Sequence, residues 1–258
     1  MPITQSFDPV TPEIISPSQT VEPSPGFPET IIVTFQPHTI AAVEQELGAS
    51  PVATIQLEET HDQDRATTPG NVYSFQYAGQ TLGTYLSPVG APGAAATLEM
   101  ATAHGARKFV VFGTCGALGS KPATGIIVPT AAYRDEGTSY HYARSSDYIT
   151  VTTADQTARI LTDLGIDHTC GKVWTTDAFF RETQGNMAKR VAQGCLAVDM
   201  ETSALAAVSQ FRGVAVHHFL HTADTLSTDG WDSGLLGVLP AEPRARYFTI
   251  AAEIAVRL

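Results

Sequence analysis

Apolar residues recur along this chain in two rhythms: the continuous or alternating run of a strand, and the three-to-four spacing of a helix. TIIVTF, Thr30 to Phe35, is a β-branched run that predicts a buried strand. PHTIAAVEQELG predicts a helix from Thr39 that stops at Gly48, a residue suited to the position just past a helix end. NVYSFQY and TLGTYL flank Ala78-Gly79-Gln80, which predicts a hairpin around a short turn. GAPGAAATLEMATAHGA predicts a helix with Pro92 in its first turn and Gly105 at its end. KFVVFG (Lys108 to Gly113), TGIIVPT and GVAVHHFLHTAD are strand patterns, and TADQTARILTDLG and PAEPRARYFTIAAEIAVRL are amphipathic helices. In VDMETSALAAV, Val198 to Val208, two acids precede a tail of small residues that reads as the buried face of a helix.

Strands alternating with helices, with a hairpin ahead of them, predict an α/β fold: one domain with a mixed, largely parallel central sheet covered by helices on both faces. That domain spans 30–258. Before it, 1–29 is rich in Pro, Ser and Thr and predicts an extended or disordered arm, because proline blocks helix and ladder alike. The composition, 43% hydrophobic and 16% charged, is ordinary for a globular chain, and no apolar run is long enough to span a bilayer. A net charge of −11 argues against nucleic-acid polymers and anionic membranes as partners. Cys115, Cys170 and Cys195 are odd in number and far apart, so they form neither a disulfide framework nor a zinc site. With a start, MPITQSFD, unlike a signal peptide, they lead to a cytoplasmic expectation.

Ligands of such sheets collect at the carboxyl ends of strands. Three ends stand out. At Gly113-Thr114-Cys115-Gly116 the glycines let backbone N–H groups approach a ligand; the plain alternative is a tight turn. In KVWTTDAFFRETQG, Phe179 and Phe180 beside Arg181, Glu182 and Gln184 make a pocket for a base or else a hydrophobic anchor with solvated charges. Asp224 follows an apolar strand; partly desolvated it would hold a proton and act as a general acid, and the alternative is a loop cap. His217, His218 and His221 look like a metal cluster, but strand neighbours point to opposite faces, so no metal is expected.

Taken in order, SPVGAPGAAATLEMATAHGARKFVVFGTCGAL, RDEGTSYHY, WTTDAFFRET, AVDMETSALAAVSQFRGV and the Asp224 strand end resemble the nucleoside phosphorylase family, which includes uridine phosphorylase and the small-subunit purine nucleoside phosphorylases. The resemblance runs from about Thr30 to the C-terminus. It implies cleavage of the bond between ribose and base, with inorganic phosphate as co-substrate and no other cofactor. Glu201 would accept hydrogen bonds from the ribose hydroxyls with Met200 packed beneath the sugar, and Thr114 would touch sugar and phosphate beside Gly113. Phe179, Arg181 and Gln184, with Cys115 and Gly116, would face the base. Asp224 would protonate a purine's five-membered ring, which tilts the reading toward purine or broad specificity. Asp199 needs no role beyond capping. The family also implies a homo-oligomer, a dimer or hexamer, acting on a small-molecule nucleoside.

The chain departs from the family pattern where phosphate is bound. Phe35-Gln36-Pro37-His38-Thr39 replaces Gly-Asp-Pro and a nearby arginine, Val111 stands where a second arginine is usual, and the first histidine is His38. Arg65 and Arg144 are the candidate replacements. Three functions therefore stay open: a phosphorylase with a rebuilt phosphate site, a nucleosidase in which water takes the place of phosphate, and a non-catalytic nucleoside-binding protein.

Overall fold

The computed structural model describes residues 2–21, 23–55, 70–119, 125–237 and 240–258, with the backbone alone for 241–244. Arg65 lies outside the described residues. A 3-10 turn (Ile3–Gln5) and a short helix α1 (Pro17–Thr20) punctuate the arm. The arm folds back on the body, where Glu13 pairs with Arg212 at 2.8 Å and Phe7 meets the edge of Phe211. Strand β1 (Thr30–Thr34) is buried along its whole length and leads into α2 (Pro37–Leu47), which ends at Gly48 with φ of +62°. Strand β2 (Ser50–Thr54) is followed by the hairpin of β3 (Asn71–Tyr77) and β4 (Gln80–Leu86).

The hairpin turn has only Ala78 and Gly79 between its strands, at φ of +47° and +79°. Both are left-handed, the combination whose twist suits paired strands. Ala78 is the one described non-glycine residue there, and its Cβ opposes that conformation. Replacing Ala78 with asparagine, which tolerates it, is expected to stabilise the protein by about 0.5–1 kcal/mol. Urea unfolding of the two proteins measures this, and a lower midpoint for the variant would count against a strained turn.

Helix α3 (Ala91–His104) starts at Gly90 and ends at Gly105. Then come β5 (Lys108–Leu118), β6 (Ile126–Asp135), the single-turn α4 (Ser139–Tyr142), β7 (Tyr148–Thr150), α5 (Ala154–Asp163) and β8 (His168–Thr176). A 3-10 turn (Phe179–Arg181) precedes α6 (Gln184–Ala192), β9 (Cys195–Asp199), α7 (Thr202–Arg212), β10 (Ala215–Ser227), β11 (Gly230–Asp232) and α8 (Ala241–Ala255).

The sheet is mixed, as expected, but it is not open throughout. Strand β10 pairs with both β5 and β6, and β9 pairs with both β8 and β5. Since β6 and β8 also pair, five strands close into a ring, from which β1, β4, β3 and β2 extend as a blade. Closure depends on β5 running well past Gly113. Its second half, Thr114 to Leu118, bonds β10 on one side and β9 on the other. Helices α2 and α8 pack on one side of the blade and its junction, and α3 and α7 on the other. The core divides accordingly. One cluster joins Ile32, Phe112, Phe219 and Phe248, a second joins Ile31, Val111, Leu98 and Leu205, and a small third joins Leu118, Trp174 and Val198.

Candidate active site

Where β5, β9 and β10 meet, a cavity of about 270 Å³ opens, lined by Thr114, Cys115, Gly116, Phe179, Met200, Glu201 and Asp224, with Phe35, Glu182 and Asp199 among the other walls. Two larger hollows, of about 430 and 450 Å³, lie under the arm and between α2 and α8. Neither gathers polar groups at strand ends, so the smaller cavity is the one built for chemistry.

The acids at the head of α7 are placed by the β9–α7 turn. Asp199, the last residue of β9, accepts from the Thr202 backbone N–H at 2.8 Å and from the hydroxyls of Thr175 and Thr202 at 2.7 and 2.5 Å. It therefore closes the otherwise unpaired first turn of α7. Glu136 adds to this brace, taking hydrogen bonds from Ser203 and from the Ser139 N–H, both at 2.9 Å. Arg134 in the same RDEGTSYHY stretch is buried, donating to Ser139 and to the Arg144 carbonyl with its guanidinium over Tyr140. That segment is a scaffold for the helix start. The Arg144 side chain is exposed and is not part of the cavity wall.

Glu201, only 7% exposed, turns into the cavity. Its Oε1 accepts the Gly90 N–H at 2.6 Å, tying the start of α3 to the start of α7. Loss of water on burial, then the charge of Asp199, pushes its pKa up to about 8, against the help of the Gly90 and Met200 N–H groups. From pH 4.5 to 8 the unfolded chain ionises this carboxyl while the folded one resists, so stability falls as pH rises. Relative to Glu201→Gln, which cannot ionise, the wild type should lose stability between pH 5 and pH 8.5. Urea unfolding at both pH values tests this; a difference independent of pH would refute it.

Asp224 sits inside β10 and not at its end. Thr222 pairs with Cys115 and Asp224 with Gly116, so Ala223 is an extra residue, a β-bulge. The bulge sends Thr222 and Asp224 to opposite faces: Thr222 accepts from the Gly125 N–H, and Asp224 faces the cavity. Asp224 is 6% exposed, and its Oδ2 accepts from Trp231 Nε1 at 2.7 Å. Burial raises its pKa, and the Trp231 bond opposes the shift.

Of the residues expected to face a base, Phe179, Cys115 and Gly116 line the cavity, whereas Arg181 and Gln184 are exposed and outside its wall. The 3-10 turn at Phe179–Arg181 aims Phe179 inward and leaves Phe180 93% exposed. Thr183 then caps α6, accepting from the Asn186 N–H, which points Gln184 away. The inward polar residue of this stretch is Glu182. Gly113 is one residue outside the wall; a methyl group built on it would come within 3.0 Å of the Phe35 ring. Among the described lining residues there is no Lys or Arg. His217 and His218 bond Thr157 and Thr202, and His221 stacks on Tyr247, so the three rings do not converge. No group of three or more metal-ligating side chains occurs among the described residues, and no helix among them is long and apolar enough to cross a membrane.

The model of the phosphorylase superfamily matches residues 29–235. The chain belongs to that superfamily. Among its relatives, a guanosine phosphorylase of Halorubrum lacusprofundi is 28% identical over 147 residues, covering 55% of this chain and 61% of that one. A mimivirus protein of undescribed role is 27% identical over 57% of this chain and 59% of its own. The match thus spans about three fifths of the length of these two relatives. A purine nucleoside phosphorylase of DeoD type from Bacillus cytotoxicus is 25% identical over 81% of this chain and 90% of its own. In fold, the chain superimposes on an AMP nucleosidase from Bacteroides thetaiotaomicron with a TM-score of 0.66, covering 88% of this chain and 87% of that one at 18% identity.

Proposed function

We propose that the protein is an enzyme that cleaves the N-glycosidic bond of a nucleoside, a purine nucleoside first, by the superfamily's phosphorolytic route. The observation that carries the reading is the pairing of two buried acids, Glu201 and Asp224, across one cavity with Phe179 and Met200 on its walls. A vicinal diol supplies two donors at the spacing of a carboxylate's oxygens, and a ribose would hold Glu201 in its ionised form through such bonds. A purine ring against Phe179 would bring N7, the five-membered-ring nitrogen that is not bonded to the sugar, toward Asp224. As the bond stretches, the sugar becomes oxocarbenium-like and the base gathers negative charge, which a proton from Asp224 neutralises. Thr114, on the same wall, would touch the sugar or the entering nucleophile. The names of the relatives, purine and guanosine phosphorylases, support the same bond and the same class of base.

One observation favours hydrolysis as a second reading. Phe35 packs beside Gly113, on the side assigned to phosphate, and the described wall offers that anion four carboxyls and no cation. A dianion without charge-assisted donors binds poorly. Base release from adenosine, inosine and uridine, with and without phosphate or arsenate, decides between them. Dependence on either anion supports phosphorolysis, and indifference to both overturns it. Binding without release would leave a nucleoside-binding protein. The reading needs no metal or organic cofactor. Three free cysteines support a reducing, cytoplasmic setting. Val89, Phe179, Phe180, Trp231 and Leu235 stand exposed, several on or beside the cavity wall, and support a homo-oligomer that covers them; sedimentation at micromolar concentration tests it.

A further inference from the structure

Four carboxyl groups line the cavity, and three of them are already engaged: Asp199 by Thr175 and Thr202, Glu201 by the Gly90 N–H, and Asp224 by Trp231. The fourth, Glu182, stands on the same wall as Asp224 and Phe179, where the charge of Asp224 acts on it. Asp224 is anchored through Oδ2 to Trp231, while its Oδ1 lies over Gly116, 3.3 Å from where a methyl group on that glycine would stand. Glu182 has no hydrogen bond or ion pair to its carboxyl among the described residues; what acts on it is burial and the charge of Asp224, which together raise its pKa to about 7. It is a polar group held at the wall with nothing yet to bind.

Two neighbouring carboxyls that repel do not ionise together; the second proton is retained by the pair. Near neutral pH the pair therefore holds one proton on the same cavity wall, and with the proton on Asp224 it offers a donor toward N7 and, at Glu182, an acceptor toward the 6-position. Adenine presents the complement on one edge, an acceptor at N7 and a donor at its 6-amino group, whereas a 6-oxopurine presents two acceptors, N7 and O6. A carboxylate facing O6 would be left unpaired and repelled.

We propose that Glu182, paired with Asp224, is a specificity-determining residue that selects 6-aminopurine nucleosides over 6-oxopurine nucleosides. The proposal rests on the reading of Asp224 as the acid for a purine's five-membered ring. Glu182→Gln is the informative variant, because its amide keeps the size of the side chain and can turn an N–H toward O6. Calorimetry at pH 7 should show the wild type binding adenine about 10-fold or more tightly than hypoxanthine, and E182Q bringing that ratio to one or reversing it. The ratio of kcat/KM for adenosine and inosine should move the same way. A wild type that binds both bases equally or prefers hypoxanthine overturns the proposal, as does a ratio that E182Q leaves in place, and base release could continue in either case. Conversely, a preference for adenine that collapses in E182Q, with no release from any nucleoside, would sink the enzymatic reading and leave this one standing.

Discussion

Replacing Glu201 with alanine is expected to lower kcat/KM for a ribonucleoside by about 100-fold or more. The variant loses charge-assisted hydrogen bonds worth about 1.5–3 kcal/mol each, at about 1.4 kcal/mol per factor of ten. The 2′-deoxy substrate lacks one of the two donors, so it should lose less, and the gap between the two substrates should shrink. Glu201 also ties α3 to α7 through Gly90, so the fold of the variant needs checking by circular dichroism. Glu201→Gln gives a cleaner comparison, because it can keep that bond while removing the anion. A preference for ribose that survives both substitutions would mean that the carboxylate faces no diol.

Asp224→Asn should separate purines from pyrimidines. The amide keeps an acceptor for Trp231 but carries no acidic proton for the departing base. General acid catalysis contributes typically about 10²–10⁴-fold, and the loss for adenosine should fall in that range. Uridine, which has no five-membered ring nitrogen to protonate, should be affected much less. Base-release rates on both substrates measure the contrast. Equal loss on both would make Asp224 a structural residue of the bulge.

Part of the fold and of the candidate site is legible in the sequence. Glycine and proline mark the ends of α2 and α3, and the turn between β3 and β4 sits at Ala78-Gly79, so local chemistry located those elements. Met200, Glu201, Asp224 and Phe179, singled out by the order of segments along the chain, line one cavity. What sequence could not supply was set by long-range pairing. Gly113-Thr114-Cys115-Gly116 reads as a turn, yet β5 continues through it because β9 and β10 bond it from either side. Strand β9 is short and flows into VDMETS, so its pattern merges with that of the helix. The choice of Glu182 over Arg181 and Gln184 as the inward polar residue was likewise invisible, since a single 3-10 turn and the Thr183 cap decide which side chains rotate outward.

The ring of five strands leaves few places where the sheet can be extended. Its outermost members among the described residues are β2, which carries Pro51, and the three-residue strands β7 and β11. A proline withholds a donor, and a strand so short offers little template to a stray neighbour. Copies of this chain would thus have to associate through side chains, not through continued backbone ladders, and the frame that fixes the acids is shielded from runaway fibre growth.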